Sequence, residues 1–234
     1  MFEKIKNILI TVIIATTAAM FWTGCGLAAA PVGVAGVASS ETASEKVTPA
    51  EFKLGATKGK IAVVISQPSW IKTPMDLRIT LTEAINAALE EKANIKKERL
   101  IPYTDVQKCR MALPEDKRDD PFEITSKLNA QYVLTVQITD FDLSTFAEED
   151  FFNGTMITKS CLFDANSNKL WPQDANDNCR QIAVGLETEK GTVKTSVEKL
   201  CAATAHCITR YFYNCKAAHF RIAEEQREFD NYTW

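Results

Sequence analysis

Apolar residues recur along this chain in three rhythms, each predicting a different kind of element. GKIAVVIS at 59–66 is a short β-branched run opened by glycine, as a buried strand requires. Leu77, Leu81, Ala84, Ile85, Ala88 and Leu89 return at helical spacing and form one core-facing stripe through Lys92. That helix is expected to open at Thr73-Pro74-Met75-Asp76, a cap residue followed by a first-turn proline and an acid. RLIPYTDV (99–106) predicts a second strand running into a short helix, and PEDKRDD a charged loop. Asp120-Pro121-Phe122-Glu123 predicts a capped helix that ends near Asn129. In AQYVLTVQITDFD, Tyr132, Leu134, Val136 and Ile138 alternate with Val133, Thr135, Gln137 and Thr139, so one strand face is the more apolar. FNGTMITKSCLFD, NKLWP and RQIAVGLE predict three more strands. From Thr192 to Phe229 there is neither Gly nor Pro, and Val193, Val197, Leu200, Thr204, Ile208 and Phe212 mark one long helix.

This order defines an α/β (α+β) class with a mixed sheet and a long C-terminal helix. Strands joined through a helix are expected to be parallel, and those joined by short turns antiparallel.

Ahead of residue 59 the rhythm disappears. Residues 25–58 are rich in Ala, Gly, Val, Ser, Thr and Glu and read as a flexible tether, its root-mean-square reach roughly 30 Å. Residues 1–24 have Lys4 and Lys6 ahead of the uncharged run Ile8–Trp22. Its fifteen residues fall short of the roughly 18 to 20 that cross a bilayer as a helix, and the layout is that of an export signal. The expected organisation is a signal over 1–24, a tether over 25–58, and one mixed domain with a helical extension over 59–234.

Composition changes this picture little. The 234 residues are 46% hydrophobic and 24% charged, as in globular proteins, and a net charge of -3 gives no reason to expect nucleic acid. The cysteines matter more. Thr23-Gly24-Cys25 resembles the end of a bacterial lipobox, with Trp22 where an aliphatic residue is usual. The resemblance implies a lipidated Cys25 as mature N-terminus, and Gly26 after it implies sorting to the outer membrane. An uncleaved anchor and an ordinary cleaved signal are the other readings of the segment. In an exported protein Cys109, Cys161, Cys179, Cys201, Cys207 and Cys215 are candidate disulfide partners, with fifteen pairings open and reduced buried thiols as the alternative. Cys201 and Cys207 sit on different faces of one predicted helix, so they are not expected to pair with each other.

GKIAVVIS after a lipoprotein tether, LNAQYVLTVQITDFD, and LFDANSNKLWPQD before a closing helix together resemble the periplasmic lipoprotein superfamily. That superfamily includes the curli secretion channel subunit and the lipoprotein activators of penicillin-binding proteins. The third piece resembles its hairpin, with Asn168 at the usual glycine, where Asn also tolerates a left-handed turn. The resemblance spans roughly residues 59–214 and implies a non-enzymatic envelope lipoprotein with no catalytic residues to carry over.

Other clusters have plain readings. Asp164-Asn166-Asn168 and Asp174-Asn176-Asn178 have the alternating oxygens of a calcium loop but lack its glycine and final glutamate, and turns explain them. Cys215 and His219, four apart on the predicted helix with Cys201 near the same side, form an incomplete metal set. Adjacent His206 and Cys207 point about 100° apart, which argues against a nucleophile pair. Glu148-Glu149-Asp150 is simplest as a solvated loop; Phe146, Phe151 and Phe152 beside it are the candidate partner-binding residues. No catalytic residue, cofactor or metal is expected. The expected partners are the membrane, through the lipid, and an envelope protein. A metal-dependent hydrolase and a homo-oligomeric channel subunit are the alternatives.

Overall fold

The apolar run at 61–66 becomes a strand buried on both faces, and the rest of the fold is arranged around it. The computed structural model describes residues 46–73, 75–146, 151–173, 178–188 and 191–217. Along them run β1 (Val47–Thr48), β2 (Ile61–Ser66), α1 (Leu77–Lys92), α2 (Tyr103–Met111), α3 (Pro121–Leu128), β3 (Tyr132–Phe146), β4 (Phe151–Asp164), β5 (Lys169–Trp171), β6 (Arg180–Thr188), α4 (Val193–Thr209) and β7 (Cys215–Lys216). The class is mixed α/β, as the alternation of elements requires. β2 and β3 pair in parallel, β3 and β4 antiparallel, and β4 carries both β5 and β6 on its far side, antiparallel.

The sheet separates two cores. On one face Ile61, Val63, Ile65, Leu134, Val136, Ile138, Met156, Leu162, Ile182 and Val184 pack with α1 and α4. On the other, Ala62, Val64 and Val133 meet Val106, Cys109 and Ile124 of α2 and α3. Each buried aliphatic side chain contributes about 1.5–3 kcal/mol, so the sheet interior holds most of the folding drive. The second core reaches only β2 and β3. Among the described residues no helix covers the same face of β4 and β6.

Several sequence expectations need correction. The fold takes in residues ahead of the expected start at 59: β1 pairs with β7, Leu54 is fully buried, and Glu51 and Phe52 donate their backbone N–H groups to the Tyr211 carbonyl. At Gly55 the chain passes so close to α1 that a Cβ would stand 2.3 Å from the Ala93 carbonyl oxygen. The closing helix ends at Thr209, passes through a 3-10 turn over Arg210–Phe212 and gives way to β7, because Cys215 and Lys216 pair with Thr48 and Val47. The strand expected at 99–102 is a single bridge, Leu100 to Ile61. Pro102 has no N–H to continue a ladder, and the Arg99 guanidinium occupies the Gly59 carbonyl instead. α1 starts three residues later than expected, with Asp76 as the cap accepting from the Arg78 N–H; Pro74 lies outside the described residues. α3 follows its caps as written, from Asp120 to a left-handed Asn129.

Candidate functional site

The sheet face that no described helix covers is where the registers line up side chains that solvent can reach. Ser66 of β2 lies beside Gln137 of β3, Gln137 beside Lys159 of β4, and Lys159 beside Gln181 of β6. A hydroxyl, an amide, an ammonium and a second amide therefore cross four strands side by side, about 4.8 Å apart at each step. One row back stand Val64, Thr135 and Cys161. Cys161 is bonded to Cys179, the residue just before β6, so the disulfide continues the β4–β6 ladder by one pair. Over these rows is a groove of about 870 Å³, bounded by Phe163, Asn178, Asp119 and Pro121.

The end of the groove beside α3 is braced. The Arg110 guanidinium, mostly buried, donates to the Ile65 carbonyl at 3.0 Å and the Arg118 carbonyl at 3.3 Å, and pairs with the Asp119 carboxylate. The Ser66 hydroxyl donates to the other Asp119 oxygen at 2.7 Å. Lys159 is exposed and has no ionic or hydrogen-bond partner among the described residues. Its charge is thus the one the groove presents uncompensated. Thr135 donates its hydroxyl to the Cys161 carbonyl at 3.2 Å, which ties the second row together.

A second cluster fastens the two ends of the folded chain. Trp171, fully buried, donates from Nε1 to Glu51 at 2.7 Å, and Arg180 reaches the same carboxylate at 3.0 Å. The Trp171 ring lies 5.2 Å from Tyr211 and 5.1 Å from Phe212, with the Arg180 guanidinium 5.2 Å from the Tyr211 ring. Trp171 Nε1 and the Arg180 guanidinium both meet the Glu51 carboxylate within the chain, so this cluster is structural.

The sequence-predicted residues are distributed as follows. Cys25, with the rest of the signal and tether up to residue 45, lies outside the described residues. Of the six candidate disulfide cysteines Cys161 and Cys179 are joined to each other; Cys109, Cys201, Cys207 and Cys215 are buried thiols. Cys201 and Cys207 belong to the core between α4 and the sheet, and Cys109 to the opposite core, so the sheet keeps them apart. Burial raises the Cys109 and Cys215 thiols and pushes Cys201 up to about 12, which keeps all three protonated at neutral pH. Cys215 is on β7 and not on a helix, so the four-residue spacing to His219, itself outside the described residues, does not bring them to one helix face. Phe152 is corrected as a partner-binding residue: it is 9% exposed and sits opposite buried Thr188 on the core face. The backbones of Phe146 and Phe151 pair in the β3–β4 ladder, whereas their side chains and residues 147–150 lie outside the described part.

Asp164-Asn166-Asn168 is a turn. Asp164 accepts from the N–H groups of Asn166 and Asn168 and from the Asn168 side chain at 2.8–2.9 Å, leaving its oxygens already engaged. Partial burial opposes the charge on Asp164, but these three bonds outweigh it and lower its pKa. The left-handed residue is Ser167, with φ 62°, and not Asn168. Of the second copy, Asp174 and Asn176 lie outside the described residues. Among the described residues no three His, Cys, Asp or Glu side chains gather as a metal site. The transverse row was missed in the sequence, although Gln137, Lys159 and Gln181 are each a long polar residue inside an otherwise strand-forming run.

No family model and no curated protein matches this chain. Among solved structures it is similar to the PelC dodecamer subunit of Paraburkholderia phytofirmans, at 12% identity and a TM-score of 0.40 over 72% of this chain and 97% of that one. It is also similar to the lipoprotein GNA1162 of Neisseria meningitidis, at 16% identity and a TM-score of 0.40 over 65% of this chain and 99% of that one.

Proposed function

We propose that this protein is a lipid-anchored component of a bacterial cell envelope that works by binding, as an assembly factor or activator of an envelope protein complex, without chemistry of its own. The observation that carries the reading is the order at the N-terminus: two lysines, fifteen uncharged residues, then Thr23-Gly24-Cys25, followed by a segment rich in Ala, Gly, Val and Ser ahead of the folded residues. A cross-strand disulfide at Cys161–Cys179 fits a compartment outside the reducing cytosol. The superfamily resemblance adds a binding role, and placement on the outer membrane rests on Gly26.

Crosslinking in intact cells, followed by purification in detergent, tests the reading. The expected product is a defined complex with another envelope protein; a species that stays monomeric, with no crosslinked partner, would count against it. A homo-oligomer is the second reading, favoured by β6, whose outer edge pairs with no strand among the described residues. Light scattering on the purified protein separates the two, since only the second predicts a multiple of the mature chain's mass in isolation.

A further inference from the structure

We propose that the groove over Ser66, Gln137, Lys159 and Gln181 is a binding site for a linear, hydroxyl-rich, acidic glycan, with Lys159 holding a carboxylate and Gln137 and Gln181 on either side bonding hydroxyls. The registers carry the argument. They place Ser66, Gln137, Lys159 and Gln181 in one straight row over four strands, with Phe163 and the Cys161–Cys179 disulfide alongside. A glutamine amide donates and accepts at once, which suits hydroxyl groups that also do both. The ammonium of Lys159, free of any partner among the described residues, forms its strongest hydrogen bond with an anion. Phe163, half-buried at the groove, offers an apolar surface to the C–H side of a sugar ring.

A polypeptide fits less well. Extended peptides are recognised chiefly by adding to a sheet edge, through backbone N–H and carbonyl groups. Here the floor is the face of β3 and β4, whose backbone groups are spent on both neighbouring strands. Only side chains are on offer: the amides of Gln137 and Gln181 and the Lys159 ammonium match an acidic sugar chain, and the carboxylate at the groove's end, Asp119, is already held by Arg110 and Ser66.

Calorimetric titration of the purified protein tests the site, with tetragalacturonate as probe and uncharged maltotetraose and tetraglutamate as comparators. Saturable single-site binding of tetragalacturonate is expected, at least tenfold tighter than either comparator. Lys159→Gln should weaken it at least tenfold and Gln181→Leu by a smaller factor, with unchanged melting curves, since both side chains are exposed. Three results would overturn the proposal: no saturable binding of tetragalacturonate, equal binding of tetraglutamate, or an affinity that Lys159→Gln leaves intact. The assignment stands apart from the anchoring and partner reading, and neither result decides the other.

Discussion

Trp171 joins a three-residue strand to the closing turn and, through Glu51, to the start of the folded unit. Trp171→Ala would empty a fully buried site and leave Glu51 without its indole donor; a loss of about 3–5 kcal/mol is expected, read as a lower denaturant midpoint. Asp164 gives a pH signature. Its pKa is lowered in the folded state, so its contribution is complete above the unfolded value of about 3.9 and disappears as pH falls through the folded value. Asp164→Asn should therefore lower stability at pH 7 and flatten the acid limb of the stability curve; parallel limbs for the two proteins would contradict the turn network. The buried thiols supply a third test. Cys109, Cys201, Cys207 and Cys215 are buried, and iodoacetamide at pH 8 should label none of them before denaturation, with peptides bearing Cys161 and Cys179 remaining joined throughout. Rapid labelling of Cys201 in native protein would contradict its place in the core.

At the scale of elements, local signals were legible wherever cap and pattern agreed. α3 runs between the Asp120 cap and Asn129 as its sequence predicts, and the alternation in β3 turns Leu134, Val136 and Ile138 to the larger core. Other elements depended on partners far away in the chain. Residues 46–58 have no apolar period, and what draws them into the fold is distant in sequence: pairing of β1 with β7, the pocket around Leu54, and the bonds of Glu51 and Phe52 to Tyr211, Trp171 and Arg180. The helix from Thr192 reads as continuous because nothing local stops it; what ends it is the demand of Thr48 and Val47 for a strand partner at Cys215 and Lys216. A chain truncated to begin at Gly59 should accordingly melt well below one that begins at Ser44, since burial of Leu54 alone is worth about 1.5–3 kcal/mol. Equal melting temperatures would return residues 46–58 to the tether.

For the whole molecule, the mixed sheet and its two helical layers follow from the order of patterned segments, whereas the candidate site does not. Gln137, Lys159 and Gln181 are 22 residues apart in two equal steps along the chain, and only the antiparallel registers set them side by side. Strand register is a property of the assembled sheet, so a row that crosses it has no local sequence signature. The proposed anchor is the reverse case, read from the sequence alone at Lys4, Lys6 and Cys25. The central claim is that this sheet domain is held to a membrane by lipid on Cys25. Mass spectrometry of the N-terminal peptide, taken from protein isolated out of the envelope of its own cell, tests it most directly. A peptide that begins at Cys25 and carries acyl chains is the predicted result; one that retains residues 1–24, or begins elsewhere without lipid, would contradict the account.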